Sequence, residues 1–140
     1  MMKRTAVMLA AILVVGIALA AIGSRSLYAR QVPFKRTMLL LTTDLKGLEG
    51  KEAVVVLAEL APGASAGKHY HPGNEFNYVL EGSGVLEIDG KPPITLQVGG
   101  THHIQPREVH DARNTSATDP LKILVFWVTD KGQPLTIPVK

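Results

Sequence analysis

Gly63-Ala64-Ser65-Ala66-Gly67-Lys68-His69-Tyr70-His71-Pro72-Gly73-Asn74-Glu75-Phe76-Asn77-Tyr78-Val79-Leu80-Glu81-Gly82 is the stretch that decides how this chain folds. Residues two apart on a β-strand point to the same face, so His69 and His71 present two imidazoles to one side. Pro72-Gly73-Asn74 is turn chemistry, which lets the chain reverse and bring Glu75 back beside them. A third imidazole, His110, stands at the edge of a later expected strand, after Pro106. Three nitrogens and one carboxylate would form a site with positions left open for water or substrate. Such a mixed donor set suits iron, manganese, nickel, copper, cobalt or zinc as one divalent cofactor.

On either side of that stretch the chain reads as short strands punctuated by glycine and proline. Thr37 to Thr43, Ala53 to Leu60, Phe76 to Glu81 and Gly84 to Asp89 are the first four. Asp89-Gly90 is a hairpin signal, and Pro92-Pro93 limits pairing just beyond it. Ile94 to Val98, His102 to Gln105 and Val109 to Ala112 are brief further strands. Leu121 to Val128 is apolar on both faces from Ile123, the pattern of a strand buried between two layers. No segment shows a clear helical period and no internal repeat is visible. Many short strands between regular turn signals indicate an all-β sandwich or barrel.

With those residues in place, the chain resembles the cupin superfamily. Gly63 to Gly82 matches its first signature, G-x5-H-x-H-x3-E-x6-G, at every defined position. The second signature, G-x5-P-x-G-x2-H-x3-N, is met by Gly99, His110 and Asn114. Gln105 stands where proline is usual and Arg107 where glycine is usual, departures that concern the loop before His110. The resemblance spans residues 63 to 114, about half of the domain. It implies a small, single-domain antiparallel jelly-roll β-barrel with a metal inside its mouth. It also implies His69, His71, Glu75 and His110 as the ligands, with Glu75 able to act as a base during turnover. Cupin barrels commonly form homodimers, in part by exchanging N-terminal strands, and residues 32 to 43 suit that exchange.

The N-terminus is a different kind of sequence. Met1-Met2-Lys3-Arg4 is a basic start, Thr5 to Gly23 is apolar, and Ser24 to Ala29 ends in a small residue suited to cleavage. That order is the layout of a secretory signal peptide. Leu27 is bulky at the third position before the cleavage point, and the apolar run approaches the ~20 residues of a bilayer span. Residues 1–29 are therefore expected to be a signal peptide or a membrane anchor. Residues 30–140 form the barrel domain, exported to the periplasm, whose contact with a membrane would run through an uncleaved leader alone. The chain contains no cysteine, which excludes disulfides, thiolate ligands and a lipid-modified cysteine.

Charge narrows the partners. The net charge of +3 comes from 15 basic and 12 acidic residues. Lys3, Arg4 and Arg25 lie in the leader, so the domain itself is balanced and carries no electrostatic footprint for nucleic acid. A small organic molecule is the expected ligand. With Fe(II), the site would suit a dioxygenase-like oxidoreductase, in concrete form quercetinase-like. With zinc, manganese or nickel it would act as a Lewis acid in a lyase, isomerase, cyclase or decarboxylase. A binding module that captures a small ligand or metal in the periplasm is the third reading, because fold alone does not settle function.

Other side chains are weighed by the face they share. Of His102 and His103, adjacent on a strand, one faces inward. Tyr78 lies three positions beyond Glu75 and falls on the opposite face, whereas Asn77 shares the face of Glu75. Tyr70, Phe126 and Trp127 read as packing residues, and Arg107 as an exposed loop arginine able to meet a substrate carboxylate.

Overall fold

The computed structural model describes residues 35–139, so the leader lies outside the described residues. Ten strands follow one another: β1 (Lys35–Asp44), β2 (Lys51–Leu60), β3 (His69–Tyr70), β4 (Asn74–Glu81), β5 (Ser83–Ile88), β6 (Ile94–Gln97), β7 (Thr101–Ile104), β8 (His110–Asn114), β9 (Leu121–Asp130) and β10 (Ile137–Pro138). They form two five-stranded sheets, ordered β1-β2-β9-β4-β7 and β10-β3-β8-β5-β6. Every pairing is antiparallel. The expected all-β class and the eight longer expected strands are present, β3 falls on the His69–His71 stretch read as strand, and the two-residue β10 is additional.

The core forms where the inward faces meet. From the first sheet come Val54, Val56, Val79, Ile104, Leu121, Ile123 and Val125, and from the second Leu86, Ile88 and Leu96. Val79, Leu86, Leu96, Ile104 and Leu121 are almost completely buried. Each such side chain contributes about 1.5–3 kcal/mol relative to exposure. In β9 the burial alternates strictly, with Leu121, Ile123, Val125, Trp127 and Thr129 inside. Its other face is only half covered, unlike the two-layered burial the sequence indicates. Leu124, Phe126 and Val128 point there, beside the exposed Phe76, Tyr78 and Leu80 of β4.

Corners between the sheets fall at glycine. Gly82 is the single residue between β4 in one sheet and β5 in the other, and its φ is +80°. A Cβ there would sit 2.2 Å from the carbonyl oxygen of Pro120, so both the conformation and the close approach require glycine. Asn114, at the end of β8, ties the loop that follows. Its Nδ2 donates to the carbonyls of Leu60, Ala61 and Asp119, and its Oδ1 accepts from the Ser116 N–H. These ties hold the end of β8, and with it His110, in register with β3.

Candidate metal centre

Strand register delivers four side chains to one point inside the barrel. His69 on β3 lies directly opposite His110 on β8. His71 follows β3 at once, and the turn at Pro72-Gly73 leads into β4. There Glu75 stands between Trp127 of β9 and Ile104 of β7. His69, His71, Glu75 and His110 are all buried. One ring nitrogen from each histidine lies within 4.8 Å of the others, a group that could hold a metal ion.

Backbone carbonyls fix how those rings are protonated. Nδ1 of His69 meets the Gly67 oxygen at 2.5 Å, and Nδ1 of His110 meets the Glu108 oxygen at 2.9 Å. Nδ1 of His71 bonds the carbonyl of Leu135. A carbonyl only accepts, so each Nδ1 must carry the proton, and Nε2 is left as the ligand atom. Nε2 of His71 lies 2.7 Å from Glu75 Oε2, and Nε2 of His110 lies 3.7 Å from the same oxygen. Either a proton on Nε2, which makes the ring cationic, or a metal ion bound by both groups satisfies that contact. A divalent metal fits this requirement, and the hydrogen bonds on the far side of each ring are those that orient ligating histidines.

The carboxylate beside the three histidines is held ionised. Burial alone would raise the Glu75 pKa, but the hydrogen bond and charge of His71, the charge of His110 and the Asn77 amide outweigh it. The net shift is downward, so Glu75 is ionised. Nδ2 of Asn77 donates to Oε1 at 3.2 Å, and Nε1 of Trp127 donates to Oε2 at 3.2 Å. Burial pushes His110 below its ordinary 6.5, against the opposing pull of the Glu108 carbonyl and Glu75. A neutral imidazole and an ionised carboxylate are the protonation states that ligation needs.

The space beside these groups is a cavity of about 90 Å³. Val56, Leu86, Leu96, Ile123 and Val125 contribute apolar wall, and Thr37 and Thr136 also line it. Of the two adjacent histidines, His102 is the inward one: it opposes Asn77 in the sheet and bonds its amide. His103 is exposed and stacks on Phe76, with ring centroids 4.7 Å apart. Tyr78 points outward and Asn77 inward, as strand parity requires. Arg107 is exposed, and its backbone N–H donates to the His71 carbonyl at 2.8 Å.

Two parts of the site escape a reading of residue types. Trp127 fills core space as expected, but it also holds Glu75 and packs against the His71 ring at 5.0 Å. It shares the inward face of β9 with Ile123 and Val125, a face the sequence does not single out because the strand is apolar on both sides. The carbonyls of Gly67, Glu108 and Leu135 carry no signal in the sequence at all.

The family model described as a cupin domain matches residues 56–127, about half of the chain. The chain belongs to the cupin family. Its two antiparallel sheets agree with the jelly-roll expected of that family. Among solved structures, this cupin is similar to a predicted oxalate decarboxylase of Thermotoga maritima, at 26% identity and a TM-score of 0.56, covering 68% of this chain and 80% of that one. It is also similar to the oxalate decarboxylase of Bacillus subtilis with its Mn(II) centres, at 19% identity and a TM-score of 0.61, covering 79% of the cupin and 29% of that chain. The DMSP lyase DddQ of Ruegeria pomeroyi matches at 21% identity and a TM-score of 0.56 over 62% of the cupin; the cupin spans 43% of that lyase. A search of curated proteins gives no match.

Proposed function

We propose that this cupin is an exported, metal-dependent enzyme acting on a small carbonyl or carboxylate compound. His69, His71, Glu75 and His110 are the ligands in this reading, and Glu75 also serves as proton acceptor during turnover. The observation that carries it is the convergence of three imidazoles, each held at Nδ1 by a backbone carbonyl, on one ionised and buried carboxylate. A bound metal would supply Lewis acidity, polarising a carbonyl or carboxylate oxygen. The chain's own groups do the rest. The apolar wall excludes water, Asn77 and Trp127 orient Glu75, and the open side of the cavity admits the substrate.

Size supports a small substrate. Pockets for drug-sized ligands run to roughly 300–1,000 Å³, well above the cavity seen here, so a flavonol does not suit it. The lyase, isomerase, cyclase or decarboxylase class is therefore favoured over a quercetinase-like reaction. An oxygenase acting on a comparably small substrate is the second reading, supported by a donor set that Fe(II) also accepts. Capture of a ligand without turnover is the third.

Export rests on the basic-apolar-small order of residues 1–29. A homodimer is supported by the half-covered outer face of β9 and β4, where Phe76, Tyr78 and Leu80 are exposed next to Leu124 and Phe126. A second copy would supply the layer that β9's two apolar faces call for.

The test is elemental analysis of the purified full-length protein beside a His69→Ala variant, followed by turnover of short carboxylates and carbonyl compounds with and without oxygen. One equivalent of transition metal in the parent, lost in the variant, together with oxygen-independent turnover, supports the proposal. No metal in either protein after reconstitution would sink it, and strict oxygen dependence would move the assignment to the oxygenase.

A further inference from the structure

β7 is the edge strand of its sheet, and it places His102 directly opposite Asn77 of β4. Nδ1 of His102 lies 2.9 Å from Asn77 Oδ1, and Asn77 Nδ2 lies 3.2 Å from Glu75 Oε1. The orientation of each group follows from the one before it. A carboxylate only accepts, so the Asn77 amide must turn Nδ2 toward Glu75. Its oxygen then faces His102, and because an amide oxygen also only accepts, His102 must donate from Nδ1. Burial holds His102 below its ordinary 6.5, so near neutral pH the ring carries one proton. Gly100 sits close to both the Gln97 carbonyl and the ring: a Cβ there would lie 2.9 Å from the Gln97 oxygen and 3.3 Å from the His102 Cε1.

We propose that His102 is a positioning residue for Glu75. Its Nδ1–H locks the Asn77 amide so that Nδ2 holds Oε1, which leaves Oε2 turned toward His71 and His110. Without that proton donor, the amide oxygen loses its partner and the amide is held only through Glu75, so its position and that of Oε1 are less tightly fixed. His102 itself touches neither the histidine cluster nor the metal position, so it acts through Asn77. The inference rests on the metal-dependent reading given above.

The experiment compares full-length parent, His102→Ala, His102→Asn and His103→Ala proteins. An asparagine at 102 carries an amide N–H close to where Nδ1 was, so it can restore the donor. Cobalt(II) affinity is measured by competition with a chromophoric chelator, and the visible spectrum of the cobalt protein reports carboxylate coordination. The expected result is an affinity about tenfold weaker with an altered spectrum in His102→Ala. His102→Asn should stay within about threefold of the parent, and His103→Ala should be unchanged. Nitrogen-15 NMR of the metal-free parent provides a readout independent of metal and of variant folding, and it should show the His102 proton on Nδ1. A His102→Ala protein with parental affinity and spectrum overturns the positioning role, as does a proton on Nε2. A parent that takes up no cobalt instead overturns the metal-dependent reading, and the positioning role with it.

Discussion

Trp127→Phe separates two contributions of one side chain. The indole is buried on the inward face of β9, packs against His71 and donates Nε1–H to Glu75 Oε2 at 3.2 Å. Phenylalanine keeps an aromatic ring on that face but loses the donor and leaves a void. The void and lost contacts should cost about 1–2 kcal/mol of folding stability, a fraction of what full truncation of a buried tryptophan costs. A hydrogen bond to a charged acceptor contributes about 1.5–3 kcal/mol, and the 3.2 Å length lies at the long end for such bonds. Taking about 1–1.5 kcal/mol for it, metal affinity should fall roughly five- to tenfold, since 1.4 kcal/mol is tenfold. Trp127 is the sole tryptophan in the chain, so its fluorescence vanishes with the substitution. Affinity is therefore read by zinc competition against a chromophoric chelator, and stability by thermal unfolding of the chelator-treated protein. The void acts on the metal-free fold, whereas the hydrogen bond acts on the position of Glu75. An affinity within twofold of the parent, alongside the expected loss of stability, would refute the claim that Trp127 orients the carboxylate.

Arg107 occupies a left-handed conformation with φ of 66°, which costs a side-chain-bearing residue about 1–2 kcal/mol; Arg107→Gly should raise stability by about 0.5–1 kcal/mol in urea unfolding. The Thr129 hydroxyl is buried with no hydrogen-bond partner among the described residues, so Thr129→Val, which keeps the shape, should stabilise by about 1 kcal/mol in the same assay. His110 and His102 both sit below their ordinary 6.5 because burial disfavours the imidazolium. The unfolded chain therefore binds more protons as pH falls through that value, and the metal-free protein holds its full stability above it and loses stability below. Glu75, also lowered, adds to the loss at more acidic pH. Calorimetry from about pH 8 to about pH 5 should show a falling Tm; a Tm that rises on acidification would contradict the assigned burial.

The parts of the site that were legible were those set by local spacing. His69, His71 and Glu75 lie within seven consecutive positions, so strand parity and one turn suffice to bring them together. The eight longer strands were legible because each spans enough residues to show its pattern. β10 was not, since two residues carry no period; it includes Pro138, and its place is set by pairing of Ile137 with Tyr70. The choice between His102 and His103 needed the register of β7 on β4, which runs without a bulge from Glu75–Ile104 to Tyr78–Thr101. β9 misled in one respect. Apolar residues on both faces indicated two covering layers, and among the described residues the outer face of β9 is only half covered.

The carbonyl that fixes His71 belongs to Leu135, 64 residues further along the chain. β10 then pairs with β3, the strand that carries His69. A ribosome therefore releases the first two imidazoles long before it releases the group that sets the tautomer of one of them. A metal that needs His71 in this orientation would be taken up only after synthesis has passed β10 (Ile137–Pro138). A nascent chain stalled after β9 would present His69, His71 and His110 without the Leu135 anchor. An ion bound with His71 held in this way would therefore report that the last strand has docked.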